Sequence, residues 1–280
     1  MVRSLPASTA PEPAGPIARP SAIFVGPMVS LAPPTLDLSV VIPVHDELPN
    51  LAPLLVELRE ALEASRRSWE IVFVDDASTD GSGDALREAS CADERVRVVA
   101  LARRGGQSAA IVTGFAHVRG AVIVTLDADL QNDPHDLPRV LEALERADVV
   151  SGVRTHREDS ALRRMSSSIA NATRRAVIGD SVTDIGCSFK AYRREALALL
   201  PPFVGAHRFL PALCQFRGAR VAEVPLAHRP RRHGVSKYGI SNRLWRGLYD
   251  LVGVRWLKSR LVAPPPPDSE VTCRKQPTRS

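Results

Sequence analysis

Short apolar runs alternate with longer amphipathic stretches through the first half of the chain. The apolar runs are rich in Val and Ile and carry few polar residues, which predicts strands buried on both faces. The predicted strands are Leu38–Val44, Trp69–Val74, Val96–Leu101, Ala121–Leu126 and Asp148–Gly152. The predicted helices lie at about 49–64, 83–90, 107–118 and 135–146. This alternation predicts an α/β fold with a mostly parallel, Rossmann-like sheet and helices on both faces.

Polar, proline-rich stretches flank the region that carries this pattern. Residues 1–36 are rich in Pro, Ala and Ser, and residues 263–280 begin near a run of four prolines, so both are predicted to be disordered tails. Residues 37–240 are predicted to form the folded domain, and residues 241–262 a basic amphipathic helix. The apolar residues at helical spacing in that helix are Leu244, Trp245, Leu248, Tyr249, Val252 and Trp256. No run of 18 apolar residues occurs, so no transmembrane helix is predicted.

The net charge of +6 is concentrated in one part of the chain. Between Arg217 and Arg260 there are eleven lysines and arginines but only two acidic residues, Glu223 and Asp250. A block this basic favours phosphate-bearing partners, whether nucleotides, lipids or nucleic acid. Two tryptophans on the basic C-terminal helix suit the headgroup region of an anionic membrane, and packing of that helix on the domain core is the alternative.

Polar residues stand at the ends of the predicted strands, where ligands bind in parallel sheets. Asp127 and Asp129 follow the fourth strand, and two carboxylates there repel each other unless a cation neutralises them. Mg²⁺ or Mn²⁺ carrying a diphosphate meets that need, while turn formation or helix capping is the alternative. Asp75 and Asp76 follow the second strand, where one can form an Asx turn into the next helix and the other bind a ribose or base. The stretch Arg103–Gln107 enters a helix and could cradle a phosphate.

Four motifs in order carry a resemblance to a known family. They are Ser39–Glu47 (SVVIPVHDE), Val74–Gly81 (VDDASTDG), Thr125–Gln131 (TLDADLQ) and Gly234–Tyr238 (GVSKY). Together they resemble the dolichyl-phosphate mannose synthases and bacterial polyprenyl-phosphate glycosyltransferases of family 2. The aminoarabinose-type transferases are especially similar through Thr125–Arg139, Gly152–Asp159 and Asp184–Arg194. The resemblance covers about residues 37–260. It implies a GT-A domain over 37–240, a divalent metal, and inverting transfer of a sugar from a nucleotide to a polyisoprenyl phosphate.

The resemblance also implies roles for individual residues, matched by position. The metal group would be Asp127, Asp129 and Gln131. The nucleotide-sugar group would be Pro43, His45, Glu47, Val74, Asp76, Asp127, Ala128, Asp129, Arg231 and Lys237. The acceptor phosphate would meet Arg154, Arg163 and Ser167. Catalysis is expected to rest on Asp127, Asp129, Arg231 and Lys237. His45 stands where the family often has Tyr, and Asp46 where it often has Asn, so the base stays open between guanine and uracil.

Elementary chemistry favours a phosphate acceptor for this residue set. A phosphate monoester is largely dianionic at neutral pH, so it needs no general base to attack. The reaction requires positioning of two anions and neutralisation of the departing diphosphate, which a metal with several arginines and lysines provides. The expected partners are a nucleotide sugar, a polyisoprenyl phosphate and the cytoplasmic membrane surface, reached peripherally and with a membrane-anchored partner as a further option, but not nucleic acid.

Three other functions compete with this interpretation. A family 2 transferase acting on a saccharide or protein hydroxyl would need a carboxylate base, for which Glu158, Asp159 and Asp184 are candidates. A sugar-phosphate nucleotidyltransferase would carry a glycine-rich loop after the first strand, where this chain has Pro43–Glu47. A basic nucleic-acid-binding module is disfavoured because aromatic residues make up only 5% of the chain and strand-end carboxylates repel phosphates.

Overall fold

The computed structural model describes residues 28–29, 32–155, 171–198, 200–230 and 240–261. In that part of the chain seven strands form one sheet. The strands are β1 (Leu36–Val44), β2 (Trp69–Asp75), β3 (Val96–Ala100), β4 (Gly120–Thr125), β5 (Val149–Thr155), β6 (Lys190–Arg193) and β7 (Val221–Ala227). The helices are α1 (Leu48–Ala64), α2 (Ser82–Ala92), α3 (Gln107–His117), α4 (Leu137–Glu145), α5 (described over 171–178), α6 (Arg194–Leu197), α7 (Ala206–Phe216) and α8 (Ile240–Arg260). The five predicted strands and four predicted helices are confirmed with small shifts at their ends.

The sheet has the strand order β3-β2-β1-β4-β6-β5-β7. All neighbours run parallel except β6, which lies antiparallel between β4 and β5. From β1 the chain moves outward through β2 to β3 and then returns to place β4 on the other side of β1. The direction of winding therefore reverses between β1 and β4, and such a switch point opens a ligand crevice at the carboxyl ends of the strands.

Helices cover both faces of the sheet, so the strands are buried on each side. On β1, Val40 and Ile42 join a core cluster with Leu54 of α1. The intervening residue Val41 belongs to a second cluster with Phe115 of α3, on the opposite face. Because both faces of the central strands are filled with apolar side chains, the strand ends are where charged groups can meet a ligand.

The structure describes part of the predicted N-terminal tail and most of the predicted C-terminal helix. Met28 and Val29, which fall within the predicted 1–36 tail, are fully buried in the core cluster on the α3 face. That part of the predicted tail is therefore packed, whereas residues 1–27 and 262–280 lie outside the described residues. The predicted C-terminal helix is present as α8, and Leu251 and Val254 bury one of its faces. Across the described residues, every helix is too short or too polar to traverse a bilayer.

A buried carboxylate ties the amino ends of the strands together, at the edge opposite the crevice. Glu70 at the start of β2 is fully buried. Its Oε1 accepts from Ser39 Oγ over 2.7 Å and from the Arg119 N–H over 2.6 Å. Its Oε2 accepts from Arg97 Nη1 over 3.0 Å and from Arg119 Nε over 2.8 Å. Burial alone would raise the pKa of Glu70, but these hydrogen bonds outweigh it and hold the pKa below the usual 4.5.

We expect Glu70→Gln to lower the free energy of unfolding at pH 7 by about 1–3 kcal/mol, because charged hydrogen bonds to buried groups are lost. Since the folded pKa is depressed, this stabilisation is present above the ordinary carboxyl pKa and disappears as the pH falls through the lower folded value. Urea unfolding should therefore be measured at pH 7 and near pH 3. The free energy of unfolding should fall less between these two pH values in the variant than in the wild type. Exposed Glu142 on α4 gives the matched control, since Glu142→Gln should stay within about 0.5 kcal/mol of wild type. Equal pH dependence in Glu70→Gln and wild type would contradict the prediction.

Candidate active site

The loops that follow β1 and β2 are joined by hydrogen bonds into one unit at the carboxyl edge of the sheet. The Asp46 N–H donates to Ser78 Oγ over 3.0 Å, and the Thr79 N–H donates to Asp46 Oδ1 over 2.8 Å. Asp46 and Ala77 have φ angles of 51° and 54°, a left-handed conformation uncommon for residues other than glycine. The chain therefore turns sharply after each strand, and the two turns bind each other.

Five residues of the predicted nucleotide-sugar group lie together in this unit. Pro43 on β1 and Val74 on β2 are register partners. His45 Nδ1 lies 3.0 Å from the Asp76 carbonyl oxygen, and Glu47 follows directly at the entrance to α1. The structure thus brings the predicted group together from two strand ends.

Asp76 connects a third loop to the same unit. Its Oδ1 accepts from the Gly105 N–H over 2.6 Å, its Oδ2 accepts from the Gly106 N–H over 2.9 Å, and the residue is only 4% exposed. Gly106 directly precedes α3 with a φ of 82°, a conformation that favours glycine. Two N–H groups of the stretch predicted to cradle a phosphate, Arg103–Gln107, are thus directed to a carboxylate. Asp75 forms the turn that was expected of one member of the aspartate pair.

Asp127 and Asp129 follow β4 directly, at the centre of the crevice. Asp129 is buried, and Asp127 is half-buried and accepts a hydrogen bond from Gln107 Nε2 over 2.7 Å. The pKa of Asp127 is raised to about 6, first by burial and then by the charge of Asp129. A hydrogen bond with Ser188 and the positive charge of Lys190 act in the opposite direction. The two carboxylates are therefore held near each other in a place where water solvates their charges poorly.

This carboxylate pair has the chemistry that a divalent cation requires. Mg²⁺ and Mn²⁺ take oxygen ligands, and a cation here would remove the repulsion that raises the pKa of Asp127. Among the described residues, no three His, Cys, Asp or Glu side chains converge closely enough to hold an ion by themselves. Asp127 and Asp129 alone would leave most coordination positions to other oxygens, as a cation carried by a diphosphate needs. Gln131, the third predicted ligand, has its Nε2 3.3 Å from His228 Nε2.

Arg154, predicted to meet the acceptor phosphate, forms a bidentate ion pair at the end of β5. Its Nε donates to Asp184 Oδ2 and its Nη2 donates to Asp184 Oδ1, each over 2.8 Å. Asp184 is only 6% exposed and was considered above as a general base. The structure instead makes Asp184 the partner of a guanidinium. Six other predicted residues lie outside the described residues. They are Arg163 and Ser167, predicted for the acceptor phosphate, Arg231 and Lys237, predicted for the nucleotide sugar, and Glu158 and Asp159, the other candidates for a general base.

Lys190 on β6 is a candidate that sequence reasoning missed. It is only 3% exposed, and its Nζ donates to the carbonyl oxygens of Ile185 and His207 over 3.3 and 3.1 Å. Burial lowers its pKa to about 8, while the nearby Asp127 carboxylate acts in the opposite direction. The available signal was a single lysine between apolar Phe189 and Ala191, which β6 places beside the end of β4.

Solved structures share this architecture. The structure of glucosyl-3-phosphoglycerate synthase from Mycobacterium tuberculosis with Mn²⁺, UDP-glucose and phosphoglyceric acid matches with a TM-score of 0.60 at 19% identity, over 80% of each chain. A mannosyltransferase from Pyrobaculum calidifontis with GDP-mannose and Mn²⁺ matches with a TM-score of 0.55 at 20% identity, over 88% of this chain and 70% of that one. At these identities the likeness shows the fold, which is of the GT-A type.

The sequence comparisons place the chain within a family. The model "Glycosyl transferase family 2" matches residues 39–200. An undecaprenyl-phosphate 4-deoxy-4-formamido-L-arabinose transferase of Edwardsiella ictaluri is 41% identical over 216 residues, which cover 76% of this chain and 66% of that protein. The protein of the same name from Salmonella choleraesuis is 40% identical over 223 residues, covering 79% and 68%. The chain thus spans about two thirds of the length of these relatives. It belongs to glycosyltransferase family 2 and is a glycosyltransferase.

We expect Asp129→Asn to weaken Mn²⁺-dependent nucleotide binding by about 100-fold or more, because even partners of metal ligands contribute 10–100-fold. In EDTA the same variant should melt at or above the wild-type temperature, since one of two repelling carboxylates is gone. Calorimetric titration with Mn²⁺ and UDP or GDP, together with thermal melts, measures both effects. Exposed Asp84 on α2 supplies the control Asp84→Asn, which should change neither the Mn²⁺-dependent nucleotide binding nor the melting temperature. Loss of metal-free stability in Asp129→Asn would show that the carboxylate has a structural task instead.

Proposed function

We propose that this enzyme transfers a sugar from a UDP- or GDP-linked donor to a polyisoprenyl phosphate, giving a lipid-linked monosaccharide. The observation that carries the proposal is the distribution of charge along the carboxyl edge of the sheet. The carboxylates of Asp127 and Asp129 end β4, and the paired guanidinium of Arg154 ends β5, two strands away. The curated relatives, about 40% identical, are named as transferases of undecaprenyl phosphate, which supports the same acceptor class here.

The donor is expected along the ends of β1, β2 and β4. The unit built from the β1 and β2 loops would hold the nucleoside, and the diphosphate would extend toward Asp127 and Asp129. A Mg²⁺ or Mn²⁺ ion held there, with Gln131 as a further oxygen donor, would neutralise the charge of the leaving diphosphate. Gln107 fixes one oxygen of Asp127 by a hydrogen bond. Arg231 and Lys237 would add positive charge to the donor side, as the resemblance implies.

The acceptor phosphate is expected at Arg154, with Arg163 and Ser167 as further contacts. A phosphate oxygen attacks the anomeric carbon, the bond from that carbon to the diphosphate breaks, and the configuration inverts in the single displacement. Because the phosphate is already ionised near neutral pH, no protein group has to remove a proton. The protein contributes by holding two anions close together and by supplying the cations that make this possible.

The state of Asp184 favours a phosphate acceptor over a hydroxyl acceptor. A hydroxyl group would have to lose a proton to a carboxylate, and Asp184 was one of three candidates for that base. Both Asp184 oxygens accept from the Arg154 guanidinium, and Oδ1 also accepts from the Gly186 N–H over 3.1 Å. A carboxylate engaged on both oxygens in this way is poorly placed to take a proton from a hydroxyl group.

The outer face of α8 supports a peripheral position at the cytoplasmic face of the membrane. Tyr249, Val252 and Trp256 are 82%, 69% and 62% exposed, although they are large and apolar or aromatic. The same helix packs against the domain through the opposite face, where Leu251 and Val254 are buried. Packing on the core and an exposed apolar face are thus both present, on different sides of one helix. An exposed aromatic face on a basic helix has the chemistry of the lipid headgroup region.

Sugar transfer should be measured from a panel of radiolabelled UDP- and GDP-sugars to a short polyprenyl phosphate, with Mn²⁺ or EDTA. We expect a lipid-soluble labelled product with one or a few donors, and loss of that product by at least about 100-fold in EDTA, since the metal stabilises the leaving group. A matched set of reactions with oligosaccharide acceptors serves as the control. Transfer to the oligosaccharides but not to the polyprenyl phosphate would overturn the proposal in favour of a hydroxyl acceptor.

Flotation with liposomes tests the membrane face separately from catalysis. The wild type should float with vesicles that contain anionic lipid, and Tyr249→Ala/Trp256→Ala should reduce the bound fraction by about 10-fold or more, because two large apolar contacts are lost. Val204, 86% exposed and preceding α7, offers the control Val204→Ala, which should float like wild type. Equal flotation of the double variant and the control would contradict a role for this face.

A further inference from the structure

The turn over residues 184–187, which precedes β6, surrounds the guanidinium of Arg154. Asp184 accepts from Arg154 Nε and Nη2, and its Oδ2 also lies 3.3 Å from the Arg154 N–H. The Gly186 N–H donates to Asp184 Oδ1, so the carboxylate is fixed by its own turn as well as by the arginine. Bidentate pairing sets the plane of the guanidinium as well as its distance.

Gly186 leaves the space that the guanidinium occupies. A Cβ at this position would lie 2.5 Å from Arg154 Nη2, far inside van der Waals contact. The nearest other atoms are Arg154 Cζ and Asp184 Oδ1, each at 3.4 Å. The backbone of Gly186 lies outside the left-handed region, so an alanine can adopt it without backbone strain. The methyl group of an alanine would therefore act mainly on the position of the Arg154 side chain.

The turn is anchored from the interior of the domain. Lys190 Nζ donates to the Ile185 carbonyl oxygen within the turn, and the Cys187 N–H donates to the Asp184 carbonyl oxygen over 3.4 Å. Lys190 also pairs in register with Ser151 of β5, the strand that carries Arg154. Both the arginine and its partner carboxylate are thus attached to neighbouring strands of the same sheet. A group held on rigid strands keeps its geometry better than one on an isolated loop.

We propose that Asp184 and Gly186 are positioning residues that orient the Arg154 guanidinium for the phosphate of the acceptor. The proposal rests on the proposed function, in which Arg154 meets that phosphate. A lone arginine side chain loses rotational freedom on binding an anion, and an arginine already held by Asp184 has lost it beforehand. Asp184 serves the reaction through Arg154 and takes no proton, and Gly186 serves by carrying no side chain.

The central variant is Gly186→Ala, measured with a short, detergent-soluble polyprenyl phosphate and the donor found in the transfer assay. We expect the KM for the acceptor to rise about 10-fold or more, in the range of one or two charged hydrogen bonds, while the KM for the donor and the Kd for the nucleotide stay unchanged. Arg154→Ala should raise the same acceptor KM. In the Arg154→Ala background, Gly186→Ala should have no further effect, because the group it displaces is absent.

Gly247→Ala is the matched control, since a Cβ at Gly247 on α8 would have no neighbour within 4 Å. Thermal melts of all variants report whether the fold is intact. Asp184→Asn provides a second route if Gly186→Ala unfolds, and it should raise the acceptor KM more than it lowers kcat. A general base at Asp184 would instead lose kcat at unchanged acceptor KM.

The possible outcomes distinguish a failure of the proposed acceptor role of Arg154 from a failure of the positioning role of Asp184 and Gly186. An unchanged acceptor KM in Arg154→Ala would remove Arg154 from the acceptor site and with it that part of the proposed function. A raised acceptor KM in Arg154→Ala, together with wild-type kinetics in folded Gly186→Ala and Asp184→Asn, would overturn only the positioning role. Additive effects of Gly186→Ala and Arg154→Ala would also overturn it, because Gly186 would then act independently of the arginine.

Discussion

Two acidic side chains held close together at the end of a buried strand are the constraint around which the candidate active site is organised. Asp127 and Asp129 cannot both be ionised comfortably, and burial together with their mutual repulsion moves the pKa of Asp127 to about 6. The surrounding residues reduce this penalty without removing it, since Gln107 donates to Asp127 and the buried ammonium of Lys190 lies nearby. A site that keeps a residual negative charge attracts a divalent cation, and the fold tolerates the repulsion because apolar clusters fill both faces of the sheet.

Hydrogen bonds between the loops explain how separate parts of the chain form one candidate site. Asp76 accepts from two glycine N–H groups ahead of α3, so the loop after β3 is fixed to the loops after β1 and β2. The next residues of α3 continue the connection, because Ser108 Oγ lies 2.7 Å from His207 Nδ1 at the start of α7. The His207 carbonyl oxygen in turn accepts from Lys190 on β6. The loop ahead of α3, the start of α7 and strand β6 are therefore joined through polar contacts beneath the crevice, in addition to the sheet itself.

The sequence predicts those parts of the molecule that depend on local pattern. The strands β1 to β5 and the helices α1 to α4 follow from apolar runs separated by amphipathic stretches, and the strand-end aspartates follow from them. The strand β6 is only four residues long and begins with Lys190, so its pattern is too short to be distinctive. β7 has a half-exposed, alternating pattern near the sheet edge. The partnership of Arg154 with Asp184 spans 30 residues and depends on antiparallel β6, so no local pattern indicates it. For the same reason Asp184 could be mistaken for a base.

The position of α8 fixes the proposed membrane face against the carboxyl end of α5. Arg255 Nη1 and Lys258 Nζ donate to the carbonyl oxygens of Val177 and Ile178, over 2.5 and 2.6 Å, at the carboxyl end of α5. Cations at the carboxyl end of a helix are stabilised by its dipole and satisfy carbonyl groups that have no partner within the helix. These two basic side chains therefore bind the protein itself, and the adjacent aromatic residues are the part of α8 presented outward. Through these two hydrogen bonds, the exposed aromatic face of α8 is held at a fixed position relative to the carboxyl end of α5.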